Sequence, residues 1–266
     1  MTLTGSTPEE ASFLRPRKRR PKVSVVGVIG ELFITAGILV LLFLGWQLWL
    51  NDIIVGSQQA EVASQLSEEW ENSTPADAPT SPVPVESADP GLNVEPATMV
   101  APANAERFAV LIVPRWGADY ARPIAQGVGV SDVLNKIGLG HYPSTQMPGE
   151  VGNFAIASHR MAYGGQLKDL HELQIGDHIY VETEAGWHSY VFRSLEYVLP
   201  TGVGVLDPVP QNPDVAPVDR LITLTTCNPF YSTAERLVGY GVYDAWYPRA
   251  GGPPAEIAGT PAAGGS

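Results

Sequence analysis

A chain of 266 residues with one cysteine and five histidines offers few places for covalent chemistry. Cys227 ends RLITLTTC (Arg220–Cys227), a run rich in β-branched residues that reads as a strand. Asn228-Pro229 follows, a turn signal, so the thiol sits where strand meets loop. Taken alone it serves equally well as a small buried apolar filler or as a nucleophile. A nucleophilic thiol needs a proton partner and a group that holds an oxyanion. His159 follows the apolar run NFAIAS (Asn153–Ser158) and precedes Arg160, again a strand-end position. His141 stands in GHYP, a loop sequence, while His171, His178 and His188 lie in polar surroundings and read as surface residues. His171 and His178 have no further ligand spacing near them, so the sequence calls for no metal and no cofactor. Arg236 opens RLVGYGVYDAW (Arg236–Trp246) after the Cys227 loop. If those two runs are neighbouring strands, its guanidinium lies beside the thiol; otherwise it is a surface arginine.

The elements that must position these residues are mostly β. FAVLIVP (Phe108–Pro114), NFAIAS, DHIYVET (Asp177–Thr183), HSYVFRSLEYVL (His188–Leu199), RLITLTTC and RLVGYGVYDAW all read as strands, and EAGW between two of them reads as a hairpin turn. SDVLNKIG (Ser131–Gly138) predicts a short helix with Ser131 as its N-cap, and GGQLKDLHEL predicts another helical turn. Many short strands with Gly/Pro turns point to a closed barrel or a sandwich over residues 107–249.

Charge is unevenly distributed. The net charge is −12, yet six of the sixteen basic residues fall within the first 22 positions. From Asn51 onward ten basic residues face 25 acidic ones, a balance of −15. Such a surface repels phosphate backbones, which argues against nucleic-acid binding. Residues 23–50 form an apolar stretch with Glu31 as its one charge and Trp46 and Trp49 near one end. Its Leu32–Leu50 portion would span about 28 Å as a helix, close to the hydrocarbon thickness of a bilayer. Basic residues before it and acids after it predict a cytoplasmic N-terminus (1–22), an uncleaved transmembrane helix (23–50) and an extracellular remainder, with membrane lipid as a partner. Residues 51–106 read as a Pro/Ala/acid-rich linker, with a short polar helix allowed near QQAEVASQLSEEW, and residues 250–266 as a disordered tail.

On these residues the chain resembles the sortases. TLTTC (Thr223–Cys227) matches their TLxTC signature, and Arg236 falls where the family arginine does. His159 lies upstream at its own strand end, as the family histidine does. GHYPSTQMPGEVGNFAIASHR and the membrane segment GELFITAGILVLLFLGWQLW resemble the actinobacterial class E group. TGVGVLDP (Thr201–Pro208) resembles the long loop between the sixth and seventh family strands. One departure is Ala157-Ser158-His159 in place of Ala-Gly-His, which brings a hydroxyl near the imidazole.

The resemblance implies an eight-stranded β-barrel and a cysteine transpeptidase. Cys227 is then the nucleophile, His159 the proton carrier and Arg236 the oxyanion stabiliser. Thr226 is implied to help position substrate, and Tyr142 matches the tyrosine associated with preference for LAxTG over LPxTG. The implied partners are secreted proteins bearing a C-terminal sorting motif, cut between Thr and Gly, and a cell-wall amine acceptor. Leu199-Pro200-Thr201-Gly202 of this chain is not such a signal, because it stands mid-domain. Two other classes use the same residues: a hydrolytic cysteine peptidase, and a non-catalytic extracellular β-barrel binding module.

Overall fold

The computed structural model describes residues 24–46, 50–73 and 95–263. The basic N-terminus, Trp49, and the middle of the expected linker lie outside the described residues. Two compact units divide the chain after Leu44. The first contains helix α1 (Val25–Gly45) up to its penultimate residue; the helix has 21 residues and no buried side chain. Its length and composition suit a single membrane crossing.

The second unit is a closed barrel of eight strands: β1 (Arg107–Ile112), β2 (Ala121–Gln126), β3 (Leu139–His141), β4 (Gly152–Ser158), β5 (His178–Thr183), β6 (Gly186–Val198), β7 (Arg220–Asn228) and β8 (Glu235–Pro248). Around the barrel the order is β1-β2-β3-β4-β7-β8-β6-β5. Side chains alternate along each strand. Leu111, Ile124, Leu139, Phe154, Ile156, Ile179, Phe192, Ile222, Leu224 and Leu237 point inward and fill the interior, as expected of a barrel this small. Six of the strands coincide with the apolar runs of the sequence. β2 and β3 do not: ARPIAQ carries Arg122 and Pro123, and β3 is three residues long, so neither shows an apolar alternation.

A second apolar layer covers the outside of β1 and β5. Val110, Ile112 and Tyr180 face outward, yet they are buried beneath Ala63 and Trp70 of a second helix and Ile257 and Ala263 of the C-terminal segment. This is why FAVLI reads as a continuous apolar run: both faces of β1 are covered. The helix is α2 (Asn51–Ser73), 23 residues long. The polar helix allowed near the start of the expected linker is present and extends over Asn51–Ser73, and the other described end is packed near Met99. Residues 51–73 are helix on the barrel, and Met99 packs against the interior cluster. The tail is likewise placed rather than free up to Ala263. Glu256 accepts hydrogen bonds from His178 and Tyr180 at 2.6 and 2.7 Å. Beneath both segments lies a buried ion pair, Arg249 Nη2 to Glu182 Oε1 at 2.8 Å, with Ser67 of α2 donating to the other carboxylate oxygen at 2.7 Å. The expected helix at Ser131–Gly138 contracts to one wide turn, Val130–Leu134, capped by Gly129 rather than Ser131.

Two histidines read as loop and surface residues are instead inside. His141 belongs to β3, with Nδ1 2.7 Å from Gln126 Oε1 and Nε2 3.0 Å from the carbonyl of Gln146; the neutral ring has one N–H and donates to one of the two. His188 is buried beside Trp246. Burial pushes their pKa values down from 6.5, to about 4 and about 3. Both rings must therefore stay neutral in the folded chain while the unfolded chain protonates them below 6.5. Stability is complete above that pH and falls as pH drops through it, by about 1.4 kcal/mol per pH unit for each ring until the folded value is reached. Denaturation midpoints of the full chain from pH 7 to pH 5 should show this loss. His188→Phe should reduce the slope, and an unchanged slope would remove His188 from the account.

Candidate active site

Three adjacent strands bring the candidate residues together. β4 and β7 run parallel, with Ala157 opposite Thr225. Two residues further along both strands, His159 comes level with Cys227. β7 and β8 run antiparallel and pair Cys227 directly with Arg236. Parity decides which way these side chains point. Ile222 and Leu224 of β7 face the interior, and so does Leu237 of β8. Cys227 and Arg236 are therefore on the outer face, and His159 continues the outer face of Ala155 and Ala157.

A cleft of about 450 Å³ opens there. Cys227, His159, Arg160 and Met161 line it, with Pro229, Tyr231, Ser232 and Thr233 of the β7–β8 loop. The thiol is half-buried and unpaired with any other cysteine. His159 Nε2 lies 2.8 Å from Asn135 Oδ1, and its ring centroid is 5.3 Å from that of Tyr163. Burial lowers the pKa of His159 from the ordinary 6.5, so the ring rests neutral at pH 7. Arg236 is not among the cleft-lining residues. Its Nη1 donates to the carbonyls of Thr233 and Glu235 at 3.1 and 2.9 Å, which ties it to the loop that forms the rim.

A second arginine is closer in. Arg160 lines the cleft and is only 5 % exposed. Its Nη1 bonds Asn228 Oδ1, its guanidinium lies 4.0 Å over the ring of Phe230, and Asn228 in turn donates to Glu235 at 2.8 Å. Burial holds its pKa below the usual guanidinium value. Arg160 and Asn135 both escape the reading of the sequence. An arginine next to a histidine has no spacing signal of its own. Asn135 sits 24 positions from the ring it meets, in a stretch that reads as an ordinary helix.

Thr226 and Tyr142 lie on opposite sides of β7. Thr226 faces the interior, is 2 % exposed, and donates its hydroxyl to the carbonyl of Ser158 at 2.9 Å. That places it under the β4–β7 seam rather than on the cleft wall. Tyr142 is half-buried, with its hydroxyl 3.1 Å from Thr225 Oγ1, two residues below the thiol on the same outer face. Ser158, the departure before the histidine, points away from the imidazole: its hydroxyl lies 2.8 Å from the carbonyl of Gly138 and 2.6 Å from Gln166 Oε1. Among the described residues no group of three or more His, Cys, Asp or Glu forms a metal cage.

A closed barrel carrying a thiol, an imidazole and guanidinium groups at one rim defines a thiol acyl-transfer type of site. Residues 111–244 match the Sortase domain family. The chain belongs to the sortase family of cysteine transpeptidases. It is 35 % identical to Sortase SrtE1 of Streptomyces coelicolor over 246 residues, covering 90 % of this chain and 63 % of that relative, so it spans less than two thirds of that protein's length. Among solved structures, the SrtA sortase from Actinomyces oris is 37 % identical with a TM-score of 0.60, covering 64 % of this chain and 98 % of that one. Sortase E1 from Streptomyces coelicolor, with a tripeptide in its active site, is 35 % identical with a TM-score of 0.54, covering 59 % of this chain and 99 % of the other.

Thr226→Val keeps the shape and deletes the seam hydrogen bond. It should lower unfolding free energy by about 1 kcal/mol, read from the denaturation midpoint. No change would mean that the hydroxyl has no structural role.

Proposed function

We propose that this chain is a membrane-anchored transpeptidase with an extracellular catalytic domain. It cleaves an LAxTG/LPxTG-type motif between Thr and Gly and joins the Thr to a cell-wall amine. The observation that carries this reading is the common outer face of Cys227, His159 and Arg236 across β4, β7 and β8. A relative holding a tripeptide in its active site supports a peptide as the occupant of the cleft. The basic cluster before α1 supports the orientation.

The chemistry follows from the groups at the cleft. Neutral His159 takes the proton from the Cys227 thiol as sulfur attacks the Thr carbonyl carbon, and a C–S bond forms. The carbonyl oxygen becomes an oxyanion that Arg236 stabilises from the rim through its Nη2 and Nε, neither of which bonds another described residue. Collapse breaks the Thr–Gly C–N bond, and His159 gives its proton to the leaving Gly nitrogen. The acceptor amine then attacks the thioester, yields a proton to His159, and the C–S bond breaks as the thiol is restored. Arg160 holds the floor of the loop through Asn228 and Phe230, and Tyr142 is the residue assigned to the choice between Ala and Pro in the motif.

The test incubates the full chain in detergent micelles with LAxTG and LPxTG peptides and a glycine-based amine, followed by mass spectrometry. An acyl-enzyme on Cys227 and a ligated product are expected. Release of free acid regardless of added amine would make the chain a peptidase, and full function in Cys227→Ala would make it a binding module. His159→Ala should abolish transfer. Arg236→Ala should reduce kcat by about 10²–10³-fold with a smaller change in KM, because its partner charge exists mainly in the transition state. The acid limb of kcat/KM should lie below pH 6.5, since burial lowers the His159 pKa and the ring stays unprotonated until lower pH. A limb above 6.5 would contradict a desolvated base.

A further inference from the structure

One polar group that the reaction above leaves without a task touches the imidazole from beside the cleft. Asn135 Oδ1 lies 2.8 Å from His159 Nε2. An amide oxygen only accepts, so the proton between these atoms belongs to Nε2. We infer that Asn135 is a positioning residue that holds His159 as the Nε2–H tautomer, leaving Nδ1 as the nitrogen that exchanges the proton with Cys227. The inference rests on the transpeptidase reading for its catalytic consequence, and on geometry alone for the tautomer.

The neighbours of the ring offer no competing partner. The Ser158 hydroxyl is committed to Gly138 and Gln166 on the other side of the strand. Tyr163 meets His159 ring to ring. Arg160 carries donors only, and its bonded nitrogen goes to Asn228. Among the described residues, Nδ1 has no hydrogen bond. It belongs to a ring that lines the same cleft as the thiol.

Asn135 is itself fixed. Its backbone N–H closes the turn Val130–Leu134 on the carbonyl of Val130 at 2.9 Å, with φ −77° and ψ −20°. Asp132 in that turn accepts from Asn104 at 2.7 Å, which ties the turn to the chain entering β1. Val133 is fully buried beneath it. A group held this way behind an imidazole selects its tautomer and its orientation. Being neutral, Asn135 does not add a charge that would stabilise the imidazolium. Its contribution is geometric, and its loss should cost less than that of a buried carboxylate in the same place.

The experiment uses the full chain in detergent micelles, labelled with ¹⁵N-histidine, with His159 assigned by comparison with H159Q. Above the pKa of the ring, a long-range ¹H–¹⁵N spectrum should show His159 protonated on Nε2 and bare on Nδ1. Asn135→Ala should lose that bias and lower kcat about 10- to 100-fold, with KM for the peptide within about twofold. Asn135→Asp keeps an acceptor oxygen, so it should retain the Nε2–H signal and recover rate relative to Asn135→Ala. A wild-type ring protonated on Nδ1 overturns the inference, and so does Asn135→Ala with unaltered tautomer and kcat. If Asn135→Ala does not fold, the wild-type spectrum and Asn135→Asp decide. The spectrum is read without substrate, so a wild-type chain that forms no thioester removes the proposed function and leaves the tautomer assignment standing.

Discussion

A slip of β7 by one residue against either neighbour would turn Cys227 into the barrel interior and Thr226 out. The cleft therefore depends on the register of that strand, and TLTTC shows what enforces it. Thr223 donates to Asn153 Oδ1 at 2.7 Å, Thr225 to the carbonyl of Ile156 at 3.2 Å, and Thr226 to the carbonyl of Ser158 at 2.9 Å. Three hydroxyls stitch β7 to β4 at successive levels, ending one residue before the thiol. Parallel pairing alone is evenly spaced and tolerates slippage better than a seam with side-chain bonds of fixed reach. On the other edge, Gly241 stands opposite Ile222, and a Cβ there would meet Ile222 Cγ2 at 2.8 Å. That close approach works at one register only. The interior layers, with Ile222 and Leu224 interlocked against Phe154, Ile156 and Leu237, complete the constraint.

The outer layer solves a different problem. β1 and β5 present apolar residues on both faces, and an uncovered outer face would be a large sticky patch. α2 and the C-terminal segment cover it around the Glu182–Arg249 pair. A buried ion pair is weak evidence for net stability, because desolvating both charges offsets much of their attraction. Here it is supplemented by Ser67 on the carboxylate and by the carbonyls of Thr183 and Glu184 on the guanidinium, while the ring of Trp187 lies 4.5 Å from the charge. Among the described residues the network leaves Arg249 Nη1 and Trp187 Nε1 buried without a hydrogen-bond partner, so its role is to specify where the two covering segments dock rather than to add net stability.

This accounts for what the sequence made legible. Runs such as Arg220–Cys227 and Phe108–Pro114 announce themselves because burial on both faces demands unbroken apolar or β-branched residues. Cys227, His159 and Arg236 stand out because each closes or opens such a run. What stayed hidden depends on partners distant in sequence. β3 is three residues long and held by two neighbours. His188 and His141 are polar residues whose burial becomes visible only when Trp246 or Gln126 arrives. The segment 51–73 is polar on average because only a narrow stripe, with Ala63, Ser67 and Trp70 among it, touches the barrel. Its sequence allows a short polar helix but gives no sign that the helix docks on the barrel.

That stripe also connects α2 to the cleft. Gln59 accepts from Gln166 at 2.5 Å; Gln166 accepts from Ser158, the residue before His159, and donates to the carbonyl of Tyr163, whose ring faces the imidazole. Gly138 sits beside this chain with φ +112°, where a Cβ would come within 2.6 Å of Gln166 Nε2, so the contact needs glycine for both its conformation and its space. Ser158 in place of glycine is then not a perturbation of the imidazole. It is the link that fastens the β4 end to Gln166 and, through Gln59, to the helix that follows α1 in the chain. Domain borders drawn at the first strand leave this link out, because the residues that hold the histidine loop begin at Asp52, which accepts from the backbone N–H of Gly164 at 3.3 Å, well before β1.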